Sequence, residues 1–306
     1  MIYPVTVFGV KDTTKAFVEY LNNHVCHVDL VITISEELTK NAVISGYSPM
    51  KELRAQGTEI FETTVYTLDD SITQAFFSEN SFHIGISMGW SRLIPESIID
   101  SFSPGIFGLH GSCGYLPFGQ GRATLNWSLI RGDSRYVMHL FKMDKYPDSP
   151  NIYDKETFEI NEFDDIRSIQ YKDLIVSRNL VSKLLRDFLA GRPIVTSHAN
   201  NDVKQWYRGR KPEDGRIDIT ARTREIYNLV RSVTRPFPGA FAEINGKRIL
   251  IWKARPFDQI LDLSAYKLGE IIDILDDFLL VRTVDGSLLV TDYDYSSSLK
   301  AGDVLA

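Results

Sequence analysis

The sequence has little of what several protein classes require. Its 306 residues include only two cysteines, Cys26 and Cys113, too few for a disulfide framework or a cysteine zinc site. A reduced, cytoplasmic protein is the expectation. No apolar run reaches the roughly 18 residues that a membrane span needs. The N-terminal MIYPVTVFGV lacks the basic start of a signal peptide, and no membrane partner is expected. Positive charge is scarce as well: 34 Lys and Arg stand against 40 Asp and Glu, a net charge of −6. A broad basic face for nucleic acid is therefore not expected. No pair of the six histidines has metal-ligand spacing, so no metal is expected. There is no internal repeat and no low-complexity tract.

The remaining composition, 43% apolar and 24% charged, is that of a globular chain long enough for two domains. Ile2 to Val10 and Val28 to Ile34 are β-rich runs, the second nearly all apolar. Strands apolar on both faces belong in a parallel sheet covered by helices. Further strands are expected at 59–64, 83–87 and 106–109. Helices are expected after Asp12 or Thr13, at 50–56 and at 72–78. This alternation predicts an α/β fold with an N-terminal Rossmann-like open sheet. Residues 168–190 form the longest helical pattern, stopped by Gly191 and Pro193. The polar stretch 193–201 suggests a boundary, with domains at 1–203 and 204–306. Beyond it come a helix at 221–233 and β runs with hairpin signals at Asn245-Gly246 and Asp285-Gly286, the pattern of a small C-terminal β-barrel, OB-like in size.

The first strand-to-helix turn, Gly9-Val10-Lys11-Asp12, has one glycine. Phosphate needs bare backbone N–H groups and close approach, so a dinucleotide site is not expected there. Residues 105–122 read GIFGLHGSCGYLPFGQGR and place His110 at the end of a strand, the usual address for chemistry in an open α/β sheet. No other histidine has such a glycine-rich setting. On the residues alone, a lone histidine is more often structural.

Here the chain resembles the 10-formyltetrahydrofolate-dependent formyltransferases. That family includes methionyl-tRNA formyltransferase, the formyltransferase domain of the arabinose-lipid enzyme and the nucleotide-sugar N-formyltransferases. Its pattern N-x-H-(P/G)-S-L-L-P-x-x-R-G-R-x-P-x-x-W is matched by Gly108-Leu109-His110-Gly111-Ser112 and then Leu116 to Trp127. Its D-x-G-x-I is similar to Asp148-Ser149-Pro150-Asn151-Ile152. Its R-x-P-E-D-G-x-I-D is similar to Arg210 through Asp218, and its x-P-(Y/F)-P-G-A-F to Arg235 through Phe241. The departures are Gly108 in place of the family's catalytic asparagine, two extra residues between Ser112 and Leu116, and Pro150 in place of a glycine.

The resemblance implies transfer of a formyl group from 10-formyltetrahydrofolate to an amine. That chemistry needs an acid/base to move the amine's proton, a donor for the developing oxyanion, and a proton for the leaving nitrogen. It implies His110 as the acid/base, Asp148 as its partner, and Gly108 at the oxyanion position. Bottom-up, Asp148 reads as a turn residue. For the folate co-substrate it implies backbone groups at Arg92, Leu93 and Ile94, the loop from Asp144 to Asp148, and Arg122, which otherwise reads as a solvent-facing helix arginine. Ser112 falls among the substrate-binding residues. Trp206, Tyr207, Arg208 and Arg210 offer a stacking face and diphosphate partners, or equally a domain hinge packed by its aromatics.

The acidic charge argues against initiator tRNA as the acceptor, and the two-domain layout against a glycinamide-type amine. The expectation is an enzyme that formylates a nucleotide-linked amino sugar for surface polysaccharide or glycan biosynthesis. Two alternatives stand beside it: methionyl-tRNA formyltransferase, and a catalytically degenerate binding protein of the same fold. The sequence sets no oligomeric state; a homodimer is the assembly considered.

Overall fold

The computed structural model describes residues 1–41, 46–148, 151–198 and 205–306. The expected boundary between 203 and 204, and Ser149 and Pro150 of the aspartate motif, lie outside them. By its internal contacts the chain divides into two compact units. One takes residues 1–120, 137–158 and 173–206; the other takes 121–136, 159–172 and 207–306.

The first unit begins with β1 (Ile2–Phe8), α1 (Asp12–His24), β2 (Leu30–Ile34), α2 (Glu36–Asn41), β3 (Glu59–Thr63), α3 (Ser71–Glu79), β4 (Ser81–Ser87), α4 (Glu96–Ile99) and β5 (Phe102–Ser112). Along the chain there follow β6 (Phe118–Gly121), α5 (Thr124–Arg131), which belongs to the second unit, β7 (Arg135–Lys142), β8 (Asn151–Glu159), α6 (Ile166–Leu189), β9 (Ser197–His198) and β10 (Gln205–Tyr207). The large sheet has the order β3-β2-β1-β4-β5-β7-β8-β9. Strands β1 to β5 are parallel neighbours, and β2 is buried along its whole length, as its apolar run predicted.

Two expectations need correction. The sheet is mixed, because β7 pairs antiparallel to β5. Between them, α5 packs on the later helix α7 (Thr223–Val233), where Asn126 Nδ2 donates to the Ser232 carbonyl at 2.7 Å. The stretch 51–56 is 3₁₀ rather than α, closed by Gly57 at φ +84°. Helix α1 is capped at Lys11, whose N–H donates to Thr14 Oγ1 at 3.3 Å. Gly9 has a structural reason too: a Cβ there would lie 2.2 Å from the Met88 carbonyl oxygen and 2.3 Å from Thr14.

The second unit is built on α7 and five antiparallel strands: β11 (Ala240–Ile244), β12 (Lys247–Asp258), β13 (Ile271–Leu275), β14 (Phe278–Thr283) and β15 (Gly286–Asp294). Their order is β11-β12-β15-β14-β13. Among the described residues no pairing closes β11 onto β13, so the sheet is a separate antiparallel sheet in this structure. Ile226 and Val230 of α7 pack into a core with Ala242, Ile249, Ile251 and Val290. Asn245-Gly246 forms the two-residue turn expected, with φ of +51° and +73°. The next hairpin turns on Val284-Asp285, one residue earlier than its glycine suggested, and Asp285 Oδ1 accepts from Thr223 N–H at 2.8 Å. No helix among the described residues is long and apolar enough to cross a membrane.

Candidate active site

Strand β5 runs past its expected end, so His110 sits inside the strand. Antiparallel pairing sets it directly opposite His139 of β7, and sets Gly108 opposite Phe141. His110 is shielded, with a side-chain exposure of 10%. Its Nδ1 lies 3.3 Å from Asp148 Oδ1, and its Nε2 lies 2.8 Å from the Gly119 carbonyl oxygen. Both partners are acceptors. The doubly protonated ring satisfies both contacts; the neutral ring satisfies one. Asp148 is held at φ +50°, and Gln120 Nε2 donates to its carbonyl at 3.1 Å.

His139 is fully buried, and its Nδ1 lies 3.3 Å from the His110 carbonyl oxygen. Burial pushes its pKa down from 6.5 to about 4, opposed by that hydrogen bond and reinforced by the His110 and Lys155 charges. It is neutral near pH 7.

Gly108 leaves a gap that β7 fills. A Cβ at 108 would lie 3.0 Å from Phe141 Cζ and 3.2 Å from Met143 Cγ. An aromatic ring across from a strand glycine is a known way to complete a sheet face. The filling groups are apolar and donate nothing. Ser112 is buried, and its Oγ donates to the carbonyls of Gly114 and Phe118, each at 3.0 Å. It thereby fastens the segment that carries Gly119 onto His110.

Arg92, Leu93 and Ile94 lie in the loop after β4. Arg92 lies over the Tyr66 ring at 5.4 Å, Leu93 is exposed and Ile94 buried. Their backbone N–H and C=O groups make no hydrogen bond among the described residues. Farther along the same unit is a cavity of about 370 Å³, lined by Phe102, Gly105, Met143, Asp144 and Tyr146 among others. Of the loop predicted for the folate, Asp144, Lys145 and Tyr146 are in its lining, and Asp148 is not. A larger open hollow of about 790 Å³ on the C-terminal sheet has none of the predicted residues in its lining.

The other predicted residues gather in the second unit, except Trp206, which is assigned to the first and is 58% exposed. Tyr207 is buried, its ring stacked on Trp127 at 6.1 Å and covered by the Arg131 guanidinium at 4.8 Å. Arg208 forks onto Asp214 with bonds of 2.9 and 2.8 Å. That pairing, with the Lys211 N–H, holds the Asp214 carboxyl down at about 2. Arg210 Nη2 donates to the Asp214 carbonyl at 2.7 Å. Arg122 is exposed, and its chain lies along Gly209, with Cδ 3.7 Å from where a Cβ would be.

Sequence reasoning missed the Gly119 carbonyl, the Phe141 and Met143 filling, and the Trp127 platform. Phe141-x-Met143 has strand spacing and reads as core, and a carbonyl carries no residue-specific signal. Trp127 was visible as the last position of the family pattern.

Residues 210–300 match the formyl transferase C-terminal domain. The chain is 33% identical over 169 residues to the bifunctional polymyxin resistance protein ArnA of Wigglesworthia glossinidia brevipalpis. That match covers 55% of this chain but only 25% of ArnA. The fold is similar to the Helicobacter canadensis N-formyltransferase solved with folinic acid and dTDP-3-aminofucose, with a TM-score of 0.63 at 16% identity, over 99% of this chain and 100% of that one. It is also similar to Aquifex aeolicus HypX in complex with tetrahydrofolic acid, with a TM-score of 0.63 at 17% identity, over 96% of this chain and 44% of HypX. Residues 210–300 thus match a formyl transferase C-terminal domain, and the chain as a whole shares the fold of solved N-formyltransferases.

Proposed function

We propose that the protein transfers a formyl group from 10-formyltetrahydrofolate to the amine of a nucleotide-linked amino sugar. The observation that carries this is His110 held between Asp148 and the Gly119 carbonyl at 3.3 and 2.8 Å. It is an imidazole oriented by a carboxylate and otherwise free of side-chain competitors. Support comes from the relatives: ArnA by sequence, and by fold an N-formyltransferase that binds a dTDP-amino sugar.

The residues fit a folate. The unpaired backbone groups of Arg92, Leu93 and Ile94 can meet a pterin edge, and the cavity beside Asp144 is of ligand size. When bound, the co-substrate supplies the activated formyl group. His110 Nε2 takes the proton of the attacking amine and delivers one to the leaving nitrogen. To act as the base it must first lose to solvent the proton that it donates to the Gly119 carbonyl. Asp148 orients the ring and stabilises its charged form. Gly108 supplies no side-chain donor, so oxyanion stabilisation falls to protonated His110 and to backbone N–H groups.

The same reading takes the five-stranded C-terminal sheet as a small OB-like barrel module, its long strand β12 bent by register shifts against β15. It takes the boundary near residue 203, and a cytoplasmic setting in which both free thiols stay reduced. The test is formyl transfer from 10-formyltetrahydrofolate to a panel of UDP-, dTDP- and GDP-linked amino sugars, with methionyl-tRNA as a comparison acceptor. A formylated amino sugar is expected. Binding of 5-formyltetrahydrofolate without transfer to any acceptor would identify a degenerate binding protein instead.

A further inference from the structure

The second unit carries a positive cluster in a chain whose net charge is −6. Arg122, Arg208 and Arg210 gather around Trp127. The guanidinium carbons of Arg208 and Arg210 lie 5.7 and 5.1 Å from the Trp127 ring centroids. Trp127 Nε1 donates to the Arg208 carbonyl at 3.0 Å and fixes the indole there. Gly209, between the two arginines, leaves its side-chain space to Arg122, whose Nε and Nη1 both lie 3.9 Å from the ideal Cβ position.

The cluster's own carboxylate is Asp214, and Arg208 takes both of its oxygens. Arg210 is half-buried, and among the described residues its one hydrogen bond is to the Asp214 backbone carbonyl. The Arg122 side chain has no hydrogen bond or ion pair among the described residues. Burial and the adjacent Arg208 charge push the Arg210 pKa down, with Asp214 opposing them. A guanidinium buried that far, with no ion pair among the described residues, is stabilised by any anion that reaches it. Domain-hinge packing explains the Tyr207–Trp127 stack. It gives no account of the Arg122 and Arg210 guanidinium groups that gather around it.

We infer that Arg122 and Arg210, steadied by Trp127 and the Arg208–Asp214 fork, form a subsite for a compact dianion, the diphosphate of the nucleotide-linked substrate. This rests on the function proposed above and deepens it. Two planar forks and two charges suit two phosphoryl groups, each with one negative charge and oxygens spaced for bidentate bonding. The subsite moves Arg122 from the folate to the acceptor substrate. The carboxylate tail of folate shares the dianion chemistry, so the experiment must separate the two sources.

Isothermal titration of the full chain with inorganic pyrophosphate, UDP, dTDP, GDP and 5-formyltetrahydrofolate does so. Wild type is expected to bind pyrophosphate and at least one nucleotide. Arg122→Gln and Arg210→Gln should each weaken both by at least about tenfold, while the folate affinity stays within about twofold. Arg210→Lys, which keeps the charge but loses the fork, should fall between. Arg122 is exposed, so Arg122→Gln carries the test even if Arg210→Gln fails to fold. Equal nucleotide and pyrophosphate affinities in wild type and Arg122→Gln overturn the subsite and leave the proposed function standing. Weakened folate binding with unchanged nucleotide binding assigns the anion to the folate tail, and overturns it too. A wild type that binds folate but neither pyrophosphate nor any nucleotide overturns both the subsite and the nucleotide-linked acceptor.

Discussion

The strand pair β5–β7 and the C-terminal turn motifs each place glycine where a neighbour intrudes, and the intruders differ. At Gly108 they are the tip of the Phe141 ring and the Met143 thioether, at 3.0 to 3.3 Å. At Gly215 it is the Gly239 carbonyl oxygen, 2.6 Å from an added Cβ. Gly239 itself is at φ +90° under Trp252. The two C-terminal motifs thus meet backbone to glycine, and Ile217 N–H donates to the Phe241 carbonyl at 2.7 Å beside them. Their match to the family is a record of packing. The glycine-rich motif around His110 instead clears space on a sheet face that holds an imidazole and a carboxylate. Similar sequence signals can therefore mark close packing in one region and the proposed chemistry in the other.

The largest test of that contrast is His110→Ala. If β5 carries the chemistry, kcat should fall by about a hundredfold to ten-thousandfold, with an unchanged melting temperature and intact folate binding. Steady-state transfer kinetics measure this, and retention of more than a tenth of the wild-type kcat would end the assignment. Asp148→Asn should give a smaller loss in the same assay.

His139 ties the chemical strand pair to stability. Its folded pKa of about 4 lies below its ordinary 6.5. Between those values the unfolded chain binds a proton that the folded chain refuses, so folding weakens as pH falls from about 6.5 to about 4. The shift amounts to about 3 kcal/mol at the acid end. His139→Asn keeps a donor near the His110 carbonyl and does not titrate there. Urea midpoints at pH 7 and pH 4.5 should differ less in the variant than in wild type. An equal difference would place the acid sensitivity elsewhere.

Gly215→Ala probes the structural region. With backbone as the obstacle, the methyl group forces the two motifs apart, at a cost of about 2 kcal/mol. Urea denaturation reads it as a lower midpoint with unchanged slope. Wild-type stability would show that the contact yields easily.

The smallest expected effect is at Gly108. Restoring the family's asparagine there should lower kcat by roughly three- to tenfold, because Phe141 is 4% exposed and packed with Leu116 and Ile152. A gain in kcat from Gly108→Asn would show that Met143 moves aside and that an amide can still serve.

The sequence was legible wherever one local cause dominates. The apolar runs of β1 and β2, the Asn245-Gly246 turn and the stop of α6 near Gly191 each have such a cause. The run 136–143 was legible as a strand, but its antiparallel pairing with β5 was not, because pairing direction is set between strands and leaves no local signal. The β13–β14 turn uses Asp276 and Asp277 at φ +49° and +67°, a left-handed pair without the glycine that usually signals it. In the site, His110 and Asp148 came from the motif. The departure at Gly108 was visible as a loss, but what fills it comes from another strand and depends on register.

The bond from His110 Nε2 to the Gly119 carbonyl has a bearing on waste. A formyl donor bound beside a ready imidazole is exposed to water as well as to the acceptor amine. While Gly119 holds Nε2, that nitrogen has no lone pair with which to activate water. Freeing it gives up both that proton and the hydrogen bond, the latter at a cost of about 0.5–1.5 kcal/mol, which an arriving amine can replace with its own contacts and a stray water replaces poorly. In a formyl-transferring enzyme this resting contact would bias the donor toward transfer over idle hydrolysis, with the safeguard held in a backbone carbonyl that no side-chain substitution removes.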